Sequence, residues 1–454
     1  MATSAKVNVA ELIDNSKIGS FHAAIGVLCG MCLMIDGFDV QAMGYAAPAL
    51  IRDWQIPGSG MGPVFSAALF GILVGSLTFS TLADKIGRRP MLITATLFFS
   101  VLTFLISQAA SINQLLAVRF VAGVGLGGIM PNALALMGEY TPSRKRVAAM
   151  LLVGNGFNLG AALGGFLAAW LIPNFGWRAV FYFGGAVPLV ICLLMIFFLP
   201  ESLQIMVMRG TDRGKIMKAV KKFNPEAPVD EKTEYIVKEE RKAGVPAVHL
   251  FSGGRGVVTV LLWCVFFLNL LNLYLLASWL PTLMSQLGYV TSTAVLVGTM
   301  LQAGGTLGGF LFPLITARVG LTPTLTVGFG LAALSIAGIG QFGETVALMF
   351  VVVFLAGWGI LGGQNGLNSL AGSYYPTYLR STGMGWCLGI GRIGGIVGPL
   401  FAGQLIKQNL PQSQLFLAAA SLALLETVIM FALKFMIKPP SKEDVAAARE
   451  VLAH

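Results

Sequence analysis

Apolar stretches about as long as the ~20 residues a bilayer core requires alternate along the chain with short polar ones. They fall at 21–47, 63–83, 90–110, 113–137, 147–172, 178–199, 256–280, 289–315, 323–342, 345–370, 382–406 and 412–437. The pattern predicts an all-α integral membrane protein with twelve transmembrane helices, called spans 1 to 12 below. Residues 1–20 form a polar N-terminal segment, 21–199 carry six spans, 200–255 a central loop, 256–437 six more spans and 438–454 a tail. The first 20 residues are polar and mixed in charge, so no cleavable signal peptide is expected before span 1. In the central loop Lys215, Lys218, Lys221, Lys222, Lys238, Arg241 and Lys242 mix with Glu231, Glu239 and Glu240. That mixture suggests short amphipathic helices at the membrane surface, joining two halves, rather than a catalytic domain.

The halves repeat. At a shift of 233 residues ITARVGLTP (Ile315 to Pro323) falls on LADKIGRRP (Leu82 to Pro90), and Gly304 and Gly308 fall on Gly71 and Gly75. At 234, SYYPTYLR (Ser373 to Arg380) matches EYTPSRKR (Glu139 to Arg146), and at 235 Gly389 and Gly391 meet Gly154 and Gly156. Six spans followed by six related ones, both sets entering from the same side, predict two pseudo-symmetric halves about an axis along the membrane normal.

Composition agrees with a membrane protein: 56% of residues are apolar and 11% charged, and the 56 glycines are about 12% against a usual ~7%. The net charge of +10 could suggest nucleic acid. The distribution of the basic residues argues otherwise. Arg52, Arg178 and Lys407 fall in loops of one side, Arg119 and Arg392 lie inside spans, and the rest gather in the N-terminal segment, the even-to-odd loops and the tail. By the positive-inside rule both termini and the central loop are expected in the cytoplasm, and no nucleic-acid partner is expected.

Against this apolar background Asp36 and Asp39 stand out. They sit three residues apart in the middle of span 1, where an acid costs roughly 2.5 to 3.5 kcal/mol to insert. That spacing puts both carboxylates on one helical face. At the 233 shift Asp36 meets Asn269 and Asp39 meets Asn272, so the second half offers amides where the first offers acids. An amide can hydrogen-bond a substrate or a neighbouring helix but carries no titrating proton. Proton coupling is therefore expected in the first half. Glu426 in span 12 is a further intramembrane acid, open to a coupling role or to pairing with a polar neighbour or water.

Several motifs are discounted. GxGxxG occurs at Gly123, Gly125 and Gly128, at Gly357, Gly359 and Gly362, and at Gly389, Gly391 and Gly394, each time inside a span. A dinucleotide site needs a preceding strand and a soluble βαβ unit. Cys29 and Cys32 form CxxC within an apolar run without a second thiol pair or a His cluster, so no metal is expected. The three histidines, His22, His249 and His454, are not at mid-membrane, and no Walker A pattern is present. No enzyme constellation and no cofactor is expected, the proton gradient being the energy source.

LADKIGRR after span 2, RFVAGVG (Arg119 to Gly125) in span 4 and LPES (Leu199 to Ser202) after span 6 resemble the major facilitator superfamily. DGFDVQAMGYAAPAL (Asp36 to Leu50), GEYTPSRKR and GIGRIGGIVGP (Gly389 to Pro399) resemble its aromatic acid/proton symporters, across all twelve spans. The resemblance implies the major facilitator fold and uptake of hydroxybenzoates and related acids across a bacterial inner membrane, with the span 1 acid pair part of the pattern. Two positions depart from it. Ser80 stands where the superfamily loop pattern opens with Gly, and Ala161 stands in span 5 where exporter-type members carry Pro, which favours uptake.

An aromatic carboxylate entering a cell negative inside works against about 2.3 kcal/mol per 100 mV. A co-transported proton removes that penalty, and each pH unit of gradient adds about 1.4 kcal/mol of drive. Two neighbouring carboxylates cannot easily both ionise, which supplies a proton carrier. The anion needs a fixed cation, for which Arg392 is the first candidate and Arg119 the second; an Arg at that place in the superfamily more often tunes the proton site. Either could instead pair only with an internal acid. Gln364 and Asn368, at i, i+4 in span 10, and Gln302 in span 8 are candidates for phenolic hydroxyl contacts, with Asn269 and Asn272 beside them, and Trp386 and Tyr274 are candidate walls. Asp84 with Arg88 and Arg89, and Glu139 with Arg144 and Arg146, are expected to form ion pairs at cytoplasmic helix ends that hold an outward-open state, with Arg380 the second-half equivalent of Arg146. The expected partners are thus the aromatic acid, protons and lipid, with a monomer as the working unit. An exporter or sugar porter on the same scaffold, or a membrane sensor that binds without transporting, stays open at this stage.

Overall fold

The computed structural model describes residues 6–225, 227, 229, 233–237, 247–252, 254–341, 345–376 and 379–437. Among the described residues twelve helices are long and apolar enough to cross a membrane. They are Ser20–Trp54, Gly58–Ile86, Arg88–Ser107, Ile112–Tyr140, Ser143–Phe175, Arg178–Phe198, Gly256–Gln286, Thr291–Val319, Leu321–Ile339, Val346–Tyr374, Arg380–Lys407 and Gln412–Met436. Each coincides with a stretch read from hydropathy, and several run a turn or two past the apolar window. Span 4 is interrupted at Gly128 and span 5 at Asn155. Lys434, grouped with the tail on sequence grounds, stands in the last turn of the span 12 helix, where a long cation suits the carbonyl end. Exposed Phe197, Leu334 and Phe435 give the helices apolar outer faces suited to lipid.

The internal repeat has a physical counterpart. Gly87 ends span 2 with φ 114° and Gly320, 233 residues on, ends span 8 with φ 95°, a backbone that disfavours any residue with a Cβ. Gly75 lies against the Val124 backbone of span 4, and its counterpart Gly308 lies against Trp358 and Gly362 of span 10. Spans 2 and 4, and again 8 and 10, thus approach through glycine, as packing between apolar helices in lipid requires.

Contacts divide the chain into two compact units. The first comprises residues 1–241, 275–306 and 399–410, and the second 242–274, 307–398 and 411–454. One boundary falls in the central loop, at 241/242, but parts of spans 7, 8 and 11 also belong to the first unit. Gly44 of span 1 abuts the Ala277 and Ser278 backbone, Gly62 of span 2 abuts Pro399, and Gly165 of span 5 abuts Thr299. Within the same unit Gln41 Nε2 donates to Ala277 O at 3.3 Å, and Trp279 Nε1 to Pro399 O at 3.0 Å.

The polar segments carry structure of their own. The central loop holds helices Leu203–Met208 and Arg213–Phe223; the second buries Ile216, Val220 and Phe223 and exposes Lys215, Lys218, Lys221 and Lys222. Outside the helices, Lys6–Asn8 pairs in parallel with Glu234–Ile236. The following helix Val9–Asp14 buries Val9 and Ile13 in a cluster with Val220, Phe223 and Tyr235. The N-terminal segment is therefore packed onto the central loop. The tail 438–454 and the loop residues Glu231, Lys238, Glu239, Glu240, Arg241 and Lys242 lie outside the described residues.

Span 1 meets span 5 so closely that a Cβ at Gly160 would overlap the Met34 backbone, whereas one at Gly30 would meet nothing within 4 Å. Gly160→Val is expected to destabilise the protein by about 1–3 kcal/mol or more, and Gly30→Val to leave the thermal unfolding midpoint in detergent nearly unchanged. Equal midpoints for the two variants would contradict the packing described.

Candidate functional site

Asp39 is fully buried, 0% exposed, near the middle of span 1. Span 3 supplies Thr103, whose Oγ1 donates to Asp39 Oδ1 at 3.2 Å. Span 4 supplies Arg119, whose Nη1 donates to Asp39 Oδ2 at 3.1 Å and to the Asp39 carbonyl at 3.4 Å. Arg119 is itself 2% exposed, and its Nε has no hydrogen-bond partner among the described residues. Glycines let the neighbouring helices close over this pair. Gly37 lies against the Phe157 carbonyl, and Gly164 and Gly184 against the Phe38 ring. Asp36 is buried one turn before Asp39. The arrangement joins two of the three candidate proton-coupling residues, Asp39 and Arg119, with Asp36 one turn away on the same helix. Thr103 was not singled out from the sequence; one hydroxyl among the several in spans 2 and 3 carries no signal of its own.

In the second unit a chain of amides links spans 7 and 10. Asn269 Nδ2 donates to the Ile360 carbonyl at 3.3 Å and to Gln364 Oε1 at 2.7 Å, and Gln364 Nε2 donates to Asn368 Oδ1 at 3.1 Å. The backbone carbonyl of Ile360 can only accept, so it fixes which way every amide in the chain points. Asn272 is fully buried and donates to the Ala419 carbonyl of span 12 at 3.0 Å, which makes it a bridge between helices. Arg392 is half-buried in span 11. Gly391 and Gly394 seat that helix on the Phe266 and Phe267 backbone of span 7, and Gly395 faces the Tyr274 ring, one turn from Arg392. Trp386 is 46% exposed and stacks on Trp263, ring centroids 5.4 Å apart. It stands six residues, about 9 Å along the helix, from Arg392, displaced from the depth expected of a wall at that site. Gln302 is buried in span 8 and belongs to the first unit.

Of the charged groups at the terminus-side ends of spans 2 to 5, Asp84 and Arg88 pair as expected and the others differ. Arg88 meets Asp84 at 2.9 Å and Glu139 at 3.4 Å, and donates to Asn132 Oδ1 at 3.3 Å. The sequence expectation pairs Glu139 with Arg144 and Arg146. The structure turns those arginines to the N-terminal segment instead: Arg146 lies 4.0 Å from Asp14, and Arg144 donates to the Ser16 carbonyl at 3.1 Å. The reason is the packed N-terminal segment, whose helix Val9–Asp14 its polar, mixed-charge sequence does not announce. Arg89 donates to the Ile196 carbonyl at 2.6 Å. Glu201 of LPES accepts from the Arg88 and Arg89 backbone N–H groups at 2.9 and 3.2 Å, joining the end of span 6 to the start of span 3. Arg380 is exposed at the start of span 11.

A family model described as Major Facilitator Superfamily matches residues 29–386 and 262–454. The chain is 36% identical to a gallate transporter of Pseudomonas putida over 91% of its own length and 92% of that protein's. It is 38% identical to the 4-hydroxybenzoate transporter PcaK of Acinetobacter baylyi, with 88% of each chain covered. Among solved structures it is similar to a bacterial homologue of the human lysosomal transporter Spinster, at TM-score 0.71 and 15% identity, covering 94% of this chain and 100% of that one. At that identity the likeness is one of fold.

Two outcomes follow from the geometry. Arg119→Gln leaves a sealed carboxylate without its cation and is expected to cost about 3–5 kcal/mol. Asp39→Asn is expected to be similarly costly, and the double variant to recover part of the loss, as read from thermal midpoints in a double-mutant cycle. Simple additivity would mean that the pair is not coupled. In the Arg88 cluster Asp84 is 67% exposed and Glu139 16%. Asp84→Asn should therefore cost at most about 1 kcal/mol, and Glu139→Gln about 1.5–3 kcal/mol. Equal losses in thermal unfolding would shift the weight back to Asp84.

Proposed function

This chain belongs to the major facilitator superfamily, and on that premise we propose that it imports a hydroxybenzoate-type aromatic carboxylate by proton symport. It is a multi-pass membrane protein of a transporter family, not of an enzyme family. The substrate class is supported by relatives named as gallate and 4-hydroxybenzoate transporters. Coupling rests on one observation above the others, the Asp39–Arg119 pair sealed inside the first six spans. Charge alone links the two halves of the reading. A proton arriving at Asp39 cancels the carboxylate charge and releases Arg119 from its ion pair, which changes the packing preference of spans 1, 3 and 4. The same proton offsets the charge of the carboxylate cargo, so that the membrane potential no longer opposes entry. Asp36, one turn away, provides a neighbouring carboxyl for proton delivery.

The second half supplies recognition. Arg392 can hold a carboxylate with two parallel hydrogen bonds, with the Tyr274 ring a turn away for the aromatic face. The fixed amides of Asn269, Gln364 and Asn368 orient ring hydroxyls. Exchange of the site between the two sides proceeds by alternating access, with the Arg88, Glu139 and Glu201 cluster biasing the equilibrium between states. The excess of Lys and Arg in the N-terminal segment, central loop and tail supports an inner-membrane orientation with these parts on the cytoplasmic side. No further cofactor enters this reading, and a monomer suffices for it.

Cells expressing the chain should accumulate a labelled hydroxybenzoate and lose accumulation on addition of an uncoupler. Binding without accumulation would identify a sensor instead. On purified protein, Arg392→Gln should weaken carboxylate binding by about 2–5 kcal/mol, with Arg392→Lys rescuing only in part because an ammonium lacks the planar fork. An uncharged amide analogue should lose little. Calorimetry showing equal weakening for acid and amide would make Arg392 a structural residue and remove it from the carboxylate site.

A further inference from the structure

Glu426 is a buried titratable group that the reading above leaves unused. It lies in span 12, on the stripe Phe416, Ala419, Ala423, Glu426, Met430 and Leu433 that faces the protein, while Val428 is 57% exposed on the other side. Its residue is 0% exposed, and neither Oε1 nor Oε2 has a hydrogen-bond partner among the described residues. The helices seen against span 12 offer it no charge. Span 9 packs along it, with Gly330 at Thr427 and Gly340 at Ser413 and Phe416, and carries no titratable residue at all. Span 7 reaches it through Asn272 on the Ala419 carbonyl, and its titratable residues are Cys264 and Tyr274. The remaining second-half spans carry Arg318, Tyr374, Arg380, Cys387, Arg392 and Lys407, and span 12 itself adds Lys434, eight residues on and about 12 Å along the helix.

A carboxylate anion in such a place would be a full charge with neither a cation nor a donor among the described residues, the costliest way to bury a polar group. A neutral acid loses far less. An acid that served only as packing is an inefficient choice, since Gln or Leu fills the same volume without a titrating proton. At the 234 shift the first half has Cys192 in this position, so the carboxyl is particular to the second half.

We propose that Glu426 is a second proton-binding site of this carrier, loaded in the conformation seen here and discharged in another state of the transport cycle. The inference rests on the symport reading. With Asp39 as the first site, more than one proton then accompanies each monocarboxylate, and uptake carries net positive charge inward. The proton given up at Glu426 passes to water on the side of release, so charge balances over the cycle.

The test uses purified full-length protein in liposomes, with 4-hydroxybenzoate as the probe and the proton-to-substrate ratio taken from the pH gradient and membrane potential at which net substrate flux vanishes. The wild type should show a ratio above one and an inward current. Glu426→Gln, close in shape and uncharged, should keep substrate exchange between equal pools while its ratio falls by one proton and its uptake becomes electroneutral. An unchanged ratio in Glu426→Gln, or a wild-type ratio of one, overturns the proposal. Infrared difference spectroscopy on the wild type, with Glu426→Gln to assign the band, gives a reading independent of transport. A buried carboxylic acid band that converts to carboxylate when substrate or pH drives the cycle supports the site, and a band unchanged through the cycle, or absent, sinks it. Failure of the wild type to accumulate any aromatic acid with a pH gradient would instead strike the symport reading, and the infrared band would still decide whether Glu426 exchanges its proton.

Discussion

A charge inside a bundle of apolar helices has to find its partner there, and the Arg119–Asp39 contact is where this chain meets that demand. Lipid offers neither group a hydrogen bond, so spans 1, 3 and 4 must hold together closely enough for Thr103 and Arg119 to reach one carboxylate. Breaking the pair is costly, which ties the helix arrangement to the protonation of Asp39. The feature that stabilises this packing is thus also one that a proton can switch.

That closeness depends on small residues. With lipid tails as apolar as leucine, helices gain little by hydrophobic burial against one another, and contact area and backbone approach take over. Gly37, Gly160 and Gly164 bring spans 1 and 5 together around Asp39, and Gly391, Gly394 and Gly395 do the same for spans 7 and 11 around Arg392. The GxGxxG patterns, which would signal a nucleotide site in a soluble chain, serve here as packing seams.

The two halves use one scaffold for different chemistry. Where the first half places Asp39 against span 4, the second places Asn269, the counterpart of Asp36, against span 10, the counterpart of span 4. An acid and arginine can exchange a proton for an ion pair. An amide pinned to a backbone carbonyl has a fixed hydrogen-bonding direction and no titration, which suits recognition. The acid of the second half sits elsewhere, in span 12, without any partner among the described residues.

Hydropathy determined the twelve spans, the central loop and the short list of intramembrane charges, and matching motifs at a fixed shift revealed the internal repeat. Transfer into a bilayer is a property of each stretch of about twenty residues taken by itself, so a linear reading recovers it. The pairing of those charges was decided by tertiary structure. Arg88 could have met any nearby acid, and Glu139 could have met Arg144 or Arg146; the packed N-terminal helix took Arg144 and Arg146, and Glu139 went to Arg88. Thr103 on Asp39, Glu201 across two helix ends and the inward direction of Glu426 were equally closed to the sequence. In a helix apolar on all sides periodicity does not say which face turns inward, and that rotation, set by the neighbouring helices, selects the partner of every buried charge.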